Sequence, residues 1–358
     1  MNKVDCSGTK RLNVAVVGLG WWGKVIIKTL KDSKKLRVAK AVDVDPGAGE
    51  WARSQGLEYT ADFGSAVDDP NIEAVILCTP HSLHTQQVVR AATAKKHVFC
   101  EKPLALTYSD AKKSVDACRS SGVVLGVGHE LRFTPPMNEL RRMVKSGEIG
   151  TIVQSEATFS GVVSHTPGNW RLSNDEAPAG PMTGKGIHAL DLCVSVHGPA
   201  ERVFASLRQF SSRASNGDTL GLLLTFKSGG NALISALWSS PFTNRFTVFG
   251  TQGWVEVRDK AHPEKSEGWT LTKCTRDGQV TSAEYPPMSP VLANLEAFAD
   301  AVAGRATYPI SLTEMLADIA ALQAIGESAA KGEIVQVEPV DECDLPEAAN
   351  VDHVPDVG

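Results

Sequence analysis

Two side chains in this sequence have the type and setting for proton chemistry on an alcohol. Lys102 lies in a Glu101-Lys102-Pro103 triplet that closes an apolar run. A lysine aimed from such a loop can donate to a hydroxyl and stabilise the alkoxide that forms as hydride leaves its carbon. His188 lies three residues before Asp191, on one face of a helix that begins after Gly180, Gly184 and Gly186. A neutral imidazole with a pKa near ~6.5 suits taking a proton from an alcohol at neutral pH. Taken alone, the same residues also fit a surface salt bridge at Lys102 and a structural His188–Asp191 bond. One His and one Asp without a third ligand do not make a zinc site, and no metal is expected.

These side chains need a scaffold, and residues 12–30 (LNVAVVGLGWWGKVIIKTL) supply its first part. An apolar run at 14–17 meets Gly18, Gly20 and Gly23, and a helix-compatible segment follows at once. Gly18 suits a tight turn off a strand, Gly20 a close approach of backbone to pyrophosphate, and Gly23 close packing of helix on sheet. Trp21 and Trp22 sit inside this candidate cofactor loop. The acid expected about 20 positions further on is Asp43, which ends a second apolar run at 36–42. A carboxylate there accepts from ribose hydroxyls and repels a 2′-phosphate, and neither Val44 nor Asp45 is an arginine. NAD is therefore expected rather than NADP. Thr79-Pro80, after a strand ending at Cys78, and the Glu101-Lys102 strand end converge on the nicotinamide side of the same crevice.

Composition narrows the class. At 358 residues the chain is long enough for two cores, and 42% hydrophobic with 22% charged residues is ordinary for a soluble protein. A net charge of −5 without a basic stripe argues against nucleic acid. No apolar run approaches the ~18–20 residues that span a bilayer, and the first residues lack a signal-peptide core, so a cytoplasmic protein is expected. Seven cysteines without a CxxC pair fit a reducing compartment. Cys78 and Cys100 read as small core residues.

Strands and helices alternate over residues 11–128, the pattern of a doubly wound parallel sheet and hence an α/β nucleotide-binding domain. Strands are expected at 13–17, 37–42, 74–78, 97–100 and 123–127, with helices near 24–30, 47–54, 84–94 and 108–120. Over 129–337 the pattern changes to an α+β domain with an open-faced, mostly antiparallel sheet. Its expected strands are 152–162, 202–210, 219–226, 231–239, 246–257 and 269–274, and its helices 136–145, 290–304 and 312–331. Lys227-Ser228-Gly229-Gly230 and Arg276-Asp277-Gly278-Gln279 read as hairpin turns. Leu220, Leu222, Leu224 and Phe226 alternate along one strand, and an exposed face of that kind would favour self-association. Residues 1–10 and 338–358 read as flexible or extended tails.

Together these stretches resemble the glucose-fructose oxidoreductase, inositol dehydrogenase and MocA (Gfo/Idh/MocA) family. The resemblance rests on the glycine fingerprint, Thr79-Pro80 with His84, the Glu101-Lys102-Pro103 triplet, and Gly186-x-His188-x-x-Asp191, in that order. It implies a Rossmann domain, a tightly held nicotinamide, a sugar-like or cyclic alcohol substrate, and a homodimer or homotetramer built through the second sheet. By the same resemblance, Lys102 binds the reacting hydroxyl and His188 shuttles its proton. Thr79, Pro80, His84, Glu101 and Lys102 contact the cofactor, and Arg132, Trp170, Arg171 and Lys185 lie near the substrate.

One position departs from the family pattern. Many members carry an acid four residues before the histidine, where this chain has Gly184. Its loss removes an orienting partner for His188 and a hydrogen-bond acceptor for a polyol. The expected activity is NAD-dependent hydride transfer at a secondary alcohol of a sugar, cyclitol or sugar acid. The alternatives are an aromatic cis-dihydrodiol or cyclic hemiacetal as substrate, and a non-catalytic NAD-bound sensor.

Overall fold

The computed structural model describes residues 10–162, 168–210, 214–262 and 266–340. The apolar runs of the N-terminal part pair as β1 (Leu12–Val17), β2 (Leu36–Val42), β3 (Glu58–Thr60), β4 (Ala74–Leu77), β5 (His97–Cys100) and β6 (Leu125–Val127). Every pairing is parallel, in the order β3-β2-β1-β4-β5-β6. All four residues of β4 are buried, as a strand covered by helices on both faces requires. The connecting helices are α1 (Trp21–Leu30), α2 (Pro46–Ser54), α3 (Phe63–Val67), α4 (His84–Thr93) and α5 (Tyr108–Ser121). Asp45, Asp62 and Thr107 cap α2, α3 and α5 by accepting from backbone amides of the first turn. The strand order reverses between β1 and β4, so the ligand crevice opens at the carboxyl ends of those two strands. Strand β3 and helix α3 were not anticipated, being too short to show a period.

After α6 (Pro135–Lys145) the chain forms β7 (Ile152–Ser160), α7 (Ile187–His197), β8 (Ala200–Arg208), β9 (Thr219–Phe226) and β10 (Asn231–Leu237). It continues through β11 (Thr243–Gly250), β12 (Gly253–Asp259), β13 (Trp269–Thr275) and β14 (Val280–Tyr285). Helices α8 (Pro290–Val302) and α9 (Leu312–Lys331) follow, then β15 (Val335–Gln336). The second sheet has the order β14-β13-β12-β11-β7-β10-β9-β8-β15. Only the central β7–β10 pair is parallel. Both expected hairpin turns join their strands, β9 to β10 and β13 to β14. The run expected as one strand at 246–257 belongs to two, β11 and β12, which turn at Thr251-Gln252. Gly250 makes that turn possible, since a Cβ there would lie 2.0 Å from the Ile149 carbonyl oxygen.

Helices α7 and α9 cover one face of this sheet, and α8 returns to pack on α1, β2 and β5. The covered face takes Leu220, Leu222, Leu224 and Phe226, so the alternation is real but the expected exposure is reversed. The intervening positions carry the open face, where Phe204 is 43% and Leu223 41% exposed, with Leu233 similarly open. No helix of the described residues is long and apolar enough to cross a membrane. Residues 1–9 and 341–358, most of the expected tails, lie outside the described residues.

Candidate active site

The glycine turn has the geometry of a phosphate cradle. Gly18 has φ +87°, and a Cβ there would stand 2.7 Å from the Cys78 carbonyl, so only glycine lets β1 and β4 end this close together. A Cβ at Gly23 would lie 1.9 Å from the Gly18 carbonyl oxygen, which locks α1 against the turn. Gly20 faces open space, and α1 starts there with no side-chain cap and no acid in its first turn. Its amides are thus left for an anion. Asp43 reaches back from β2 to accept from the Leu19 amide, and its other oxygen accepts from the Asp45 amide. These features fit the pyrophosphate and ribose of a dinucleotide.

On the facing strand ends, His84 is a staple rather than a cofactor contact. It is fully buried, with Nδ1 2.8 Å from the Pro103 carbonyl oxygen and Nε2 3.1 Å from that of Thr79, so it ties together the two loops that border the crevice. Thr79 is steadied by its hydroxyl, which donates to Gln87. The Lys102-Pro103 peptide bond is cis. Burial raises the Glu101 carboxyl to about 7, against the opposing pull of Trp22 and Lys102. Gly128 makes room for it, since a Cβ there would lie 2.4 Å from Glu101 Oε2.

Residues 182–186 form a wide π-helical turn that feeds α7. Lys102 Nζ donates to the Gly184 carbonyl oxygen at 2.6 Å, joining the Rossmann side of the site to this turn. Lys185 Nζ donates to the Ser160 carbonyl oxygen at 2.9 Å and lies over the Phe242 ring. Burial, then the charge of Lys102, lowers Lys185 to about 8. The space beside Gly184 is taken by an indole: a Cβ at 184 would meet Trp238 Cζ2 at 2.9 Å. Trp238 in turn packs against Leu172 and Ala214.

His188 does not bond Asp191. Its Nε2 lies 3.7 Å from Glu130 Oε1, and its ring meets His129 edge-on at 5.9 Å between centroids. Burial and then the Lys102 charge hold its pKa well below the usual histidine value. Asp191 instead receives two hydrogen bonds from Arg132, at 2.9 and 2.8 Å. Arg132 also donates to Glu314 at 2.6 Å. This corrects the expectation that Arg132 lies near substrate, because its side chain is fully buried and fully engaged behind the site. Among the described residues His129, Asp191 and Asp318 bring ligand-type atoms within 4.8 Å of one another, Asp318 being a third group that local sequence did not reveal. The positive charge in that cluster is the Arg132 guanidinium, and burial followed by the Asp191 charge pushes the Asp318 carboxyl well up.

The two halves enclose a cavity of about 820 Å³, within the range of small-molecule sites. Of the residues expected from sequence, Trp21, Trp22, Thr79, Glu101, Lys102, Trp170, Arg171, Lys185 and His188 line it. Gly18, Gly20, Gly23, Asp43, Pro80 and His84 are not among its lining residues, and His84 ties together the loops that border it. Arg171 stacks on Trp170 with its guanidinium 4.0 Å from the ring centroid. Sequence reading did not pick out Glu130, His81, Trp238, Phe242 or His262, which also line the cavity. Glu130 stands two residues before Arg132, and period-two alternation puts Trp238 on the covered face with Ile234 and Ala236.

A dinucleotide crevice facing a half-buried lysine and a buried histidine defines an NAD-dependent oxidoreductase. Residues 12–129 match the oxidoreductase family with an NAD-binding Rossmann fold, and residues 137–256 match the GFO/IDH/MocA C-terminal domain. The chain belongs to the Gfo/Idh/MocA family. It is 30% identical over 275 residues to 1,5-anhydro-D-fructose reductase from Ensifer adhaerens, covering 76% of this chain and 82% of that one. Its identity to myo-inositol 2-dehydrogenase from Thermotoga maritima is 28% over 255 residues, with 68% and 74% covered. The crystal structure of GenD2 from gentamicin A biosynthesis in complex with NAD superposes with a TM-score of 0.80 at 25% identity, over 92% of this chain and 97% of that one.

Proposed function

We propose that this protein transfers hydride between NAD and a secondary alcohol of a small cyclic substrate, a sugar, cyclitol or sugar acid. The observation that carries this reading is the shared cavity lined by Lys102 and His188 at the mouth of the dinucleotide crevice. The glycine-turn amides and Asp43 would hold the dinucleotide, with Thr79 and Glu101 beside its reactive end. Bound there, NAD supplies the hydride acceptor. Lys102 donates to the substrate oxygen, and His188 takes the hydroxyl proton through Nε2, because Nδ1 is shut away without a partner. Such positioned proton transfer contributes about 10² to 10⁴ in rate.

The test is a screen of NAD-loaded protein against cyclic polyols, sugar acids and dihydrodiols, reading reduced-nicotinamide absorbance. His188→Ala should lower turnover at least tenfold with NAD affinity little changed, and wild-type turnover in that variant would refute the assignment. The indole beside Gly184 favours a second reading, an aromatic cis-dihydrodiol or cyclic hemiacetal, because it sets an apolar wall where a polyol would need an acceptor. Self-association through the open sheet face, as a dimer or tetramer, is supported by its row of exposed apolar side chains. Light scattering should give a mass at least twice that of the monomer, and a monomeric mass would remove this element.

A further inference from the structure

His188 needs a counter-charge that its own helix does not supply. Taking a proton would place a second positive charge in a buried site beside Lys102. Burial, Lys102, His129, His262 and Lys185 all already oppose that charge. The nearest acid on α7, Asp191, is committed, since both of its oxygens accept from Arg132. Position 184 offers only a carbonyl, which Lys102 occupies, and Trp238 covers the space for a side chain. Among the described residues the carboxylate within ion-pair reach of His188 is that of Glu130. Its Oε1 lies 3.7 Å from His188 Nε2, both side chains are mostly buried, and both line the cavity.

Resting on the reading above, we propose that Glu130 is a positioning residue for the reaction, whose carboxylate stabilises the proton that the imidazole removes, in place of the acid missing at Gly184. The step balances as follows. The substrate O–H bond breaks and its proton moves to His188 Nε2. The oxygen keeps the bonding pair and forms the carbonyl with it as the carbinol carbon gives up hydride. The imidazolium then stands as an ion pair with the Glu130 carboxylate, and the proton leaves to water on turnover. Glu130 is faced by Glu101 and Lys102 from the loop after β5 and by His188 and Asp191 from α7. Burial, then the Glu101 charge, pushes its carboxyl up to about 8, so the pairing strengthens as pH rises through that value.

Glu130→Gln keeps the shape and removes the charge. In the NAD-loaded enzyme kcat should fall on the order of tenfold or more, with KM within about threefold, and the rise of kcat with pH near 8 should flatten. A second measurement does not depend on turnover. The His188 ring resonance, identified as the one lost in His188→Asn, should shift near pH 8 in the wild-type protein and shift less there in Glu130→Gln, where Lys185, lowered to about 8, is left as the neighbour titrating in that range. A wild-type resonance that does not move near pH 8, or one that moves identically in the variant, overturns the proposal. If His188→Ala abolishes turnover while Glu130→Gln keeps wild-type kcat and pH profile, Glu130 is removed and the alcohol reading stands. If no alcohol is turned over but the resonance couples to Glu130, the pairing stands and the alcohol reading falls.

Discussion

Replacing Arg132 by Met separates a structural role from a substrate-binding one. Met roughly conserves the bulk of the stem, so the change removes charge and hydrogen bonds more than volume. Arg132 makes two bonds to the Asp191 carboxylate and one to Glu314, from a fully buried position. Removing one partner of a buried pair costs about 3–5 kcal/mol because it strands the other charge. Asp191 is 1% exposed and carries most of that cost, while Glu314, at 26%, keeps some access to water. A loss of about 4 kcal/mol is a large share of a total stability of about 5–15 kcal/mol and corresponds to a fall in Tm on the order of 5–10 °C. The deficit should persist in 1 M salt, since the pair is shielded from ions.

It should shrink as pH falls. Burial tends to raise the Asp191 pKa, but Arg132 overrides it and holds the group below its ordinary value. That stability is therefore present above the unfolded pKa and lost as pH drops through the folded one, so wild type and variant converge in acid. Thermal melts and urea titrations across pH read this directly. A variant that melts within about 1 °C of wild type but binds substrate more weakly would refute the reasoning and return Arg132 to the substrate site.

Restoring the family acid by Gly184→Asp should fail on its own. Its Cβ would press on Trp238, and overpacking of this kind costs about 1–3 kcal/mol. A lower Tm without polyol turnover is expected, with relief in the Gly184→Asp/Trp238→Ala double variant; a stable single variant that gains polyol activity would contradict this. Glu101 sets a pH dependence of opposite sign to that of Asp191. Its folded pKa of about 7 lies above the ordinary 4.5, so its contribution is intact in acid and is lost as pH rises from about 4.5 to 7. Relative to Glu101→Gln, the NAD-free wild type should lose on the order of 3 kcal/mol across that window, and parallel stability curves would rule this out.

The parallel sheet was legible because burial on both faces leaves continuous apolar runs, and the crevice because Gly18, Gly23 and Asp43 each answer a local steric or electrostatic demand. Lys102 and His188 could be picked out by type and setting. What local reading could not supply was pairing across distance. Arg132 looked like a cavity residue until Asp191 and Glu314, remote in sequence, closed on it. Val280–Tyr285 is exposed at nearly every position and so carries no alternation to read. Trp238 announced its face through the strand period, but that it would stand against Gly184 depended on how β10 meets the turn before α7.

The hydrogen bond from Lys102 to the Gly184 carbonyl bears on how this site tolerates change. Its acceptor belongs to the main chain, so no replacement of the side chain at 184 deletes it. The lysine's anchor is thus insulated from drift at that position. The Trp238 ring can fill the space beside position 184 from the neighbouring strand while the Lys102 amine keeps its address.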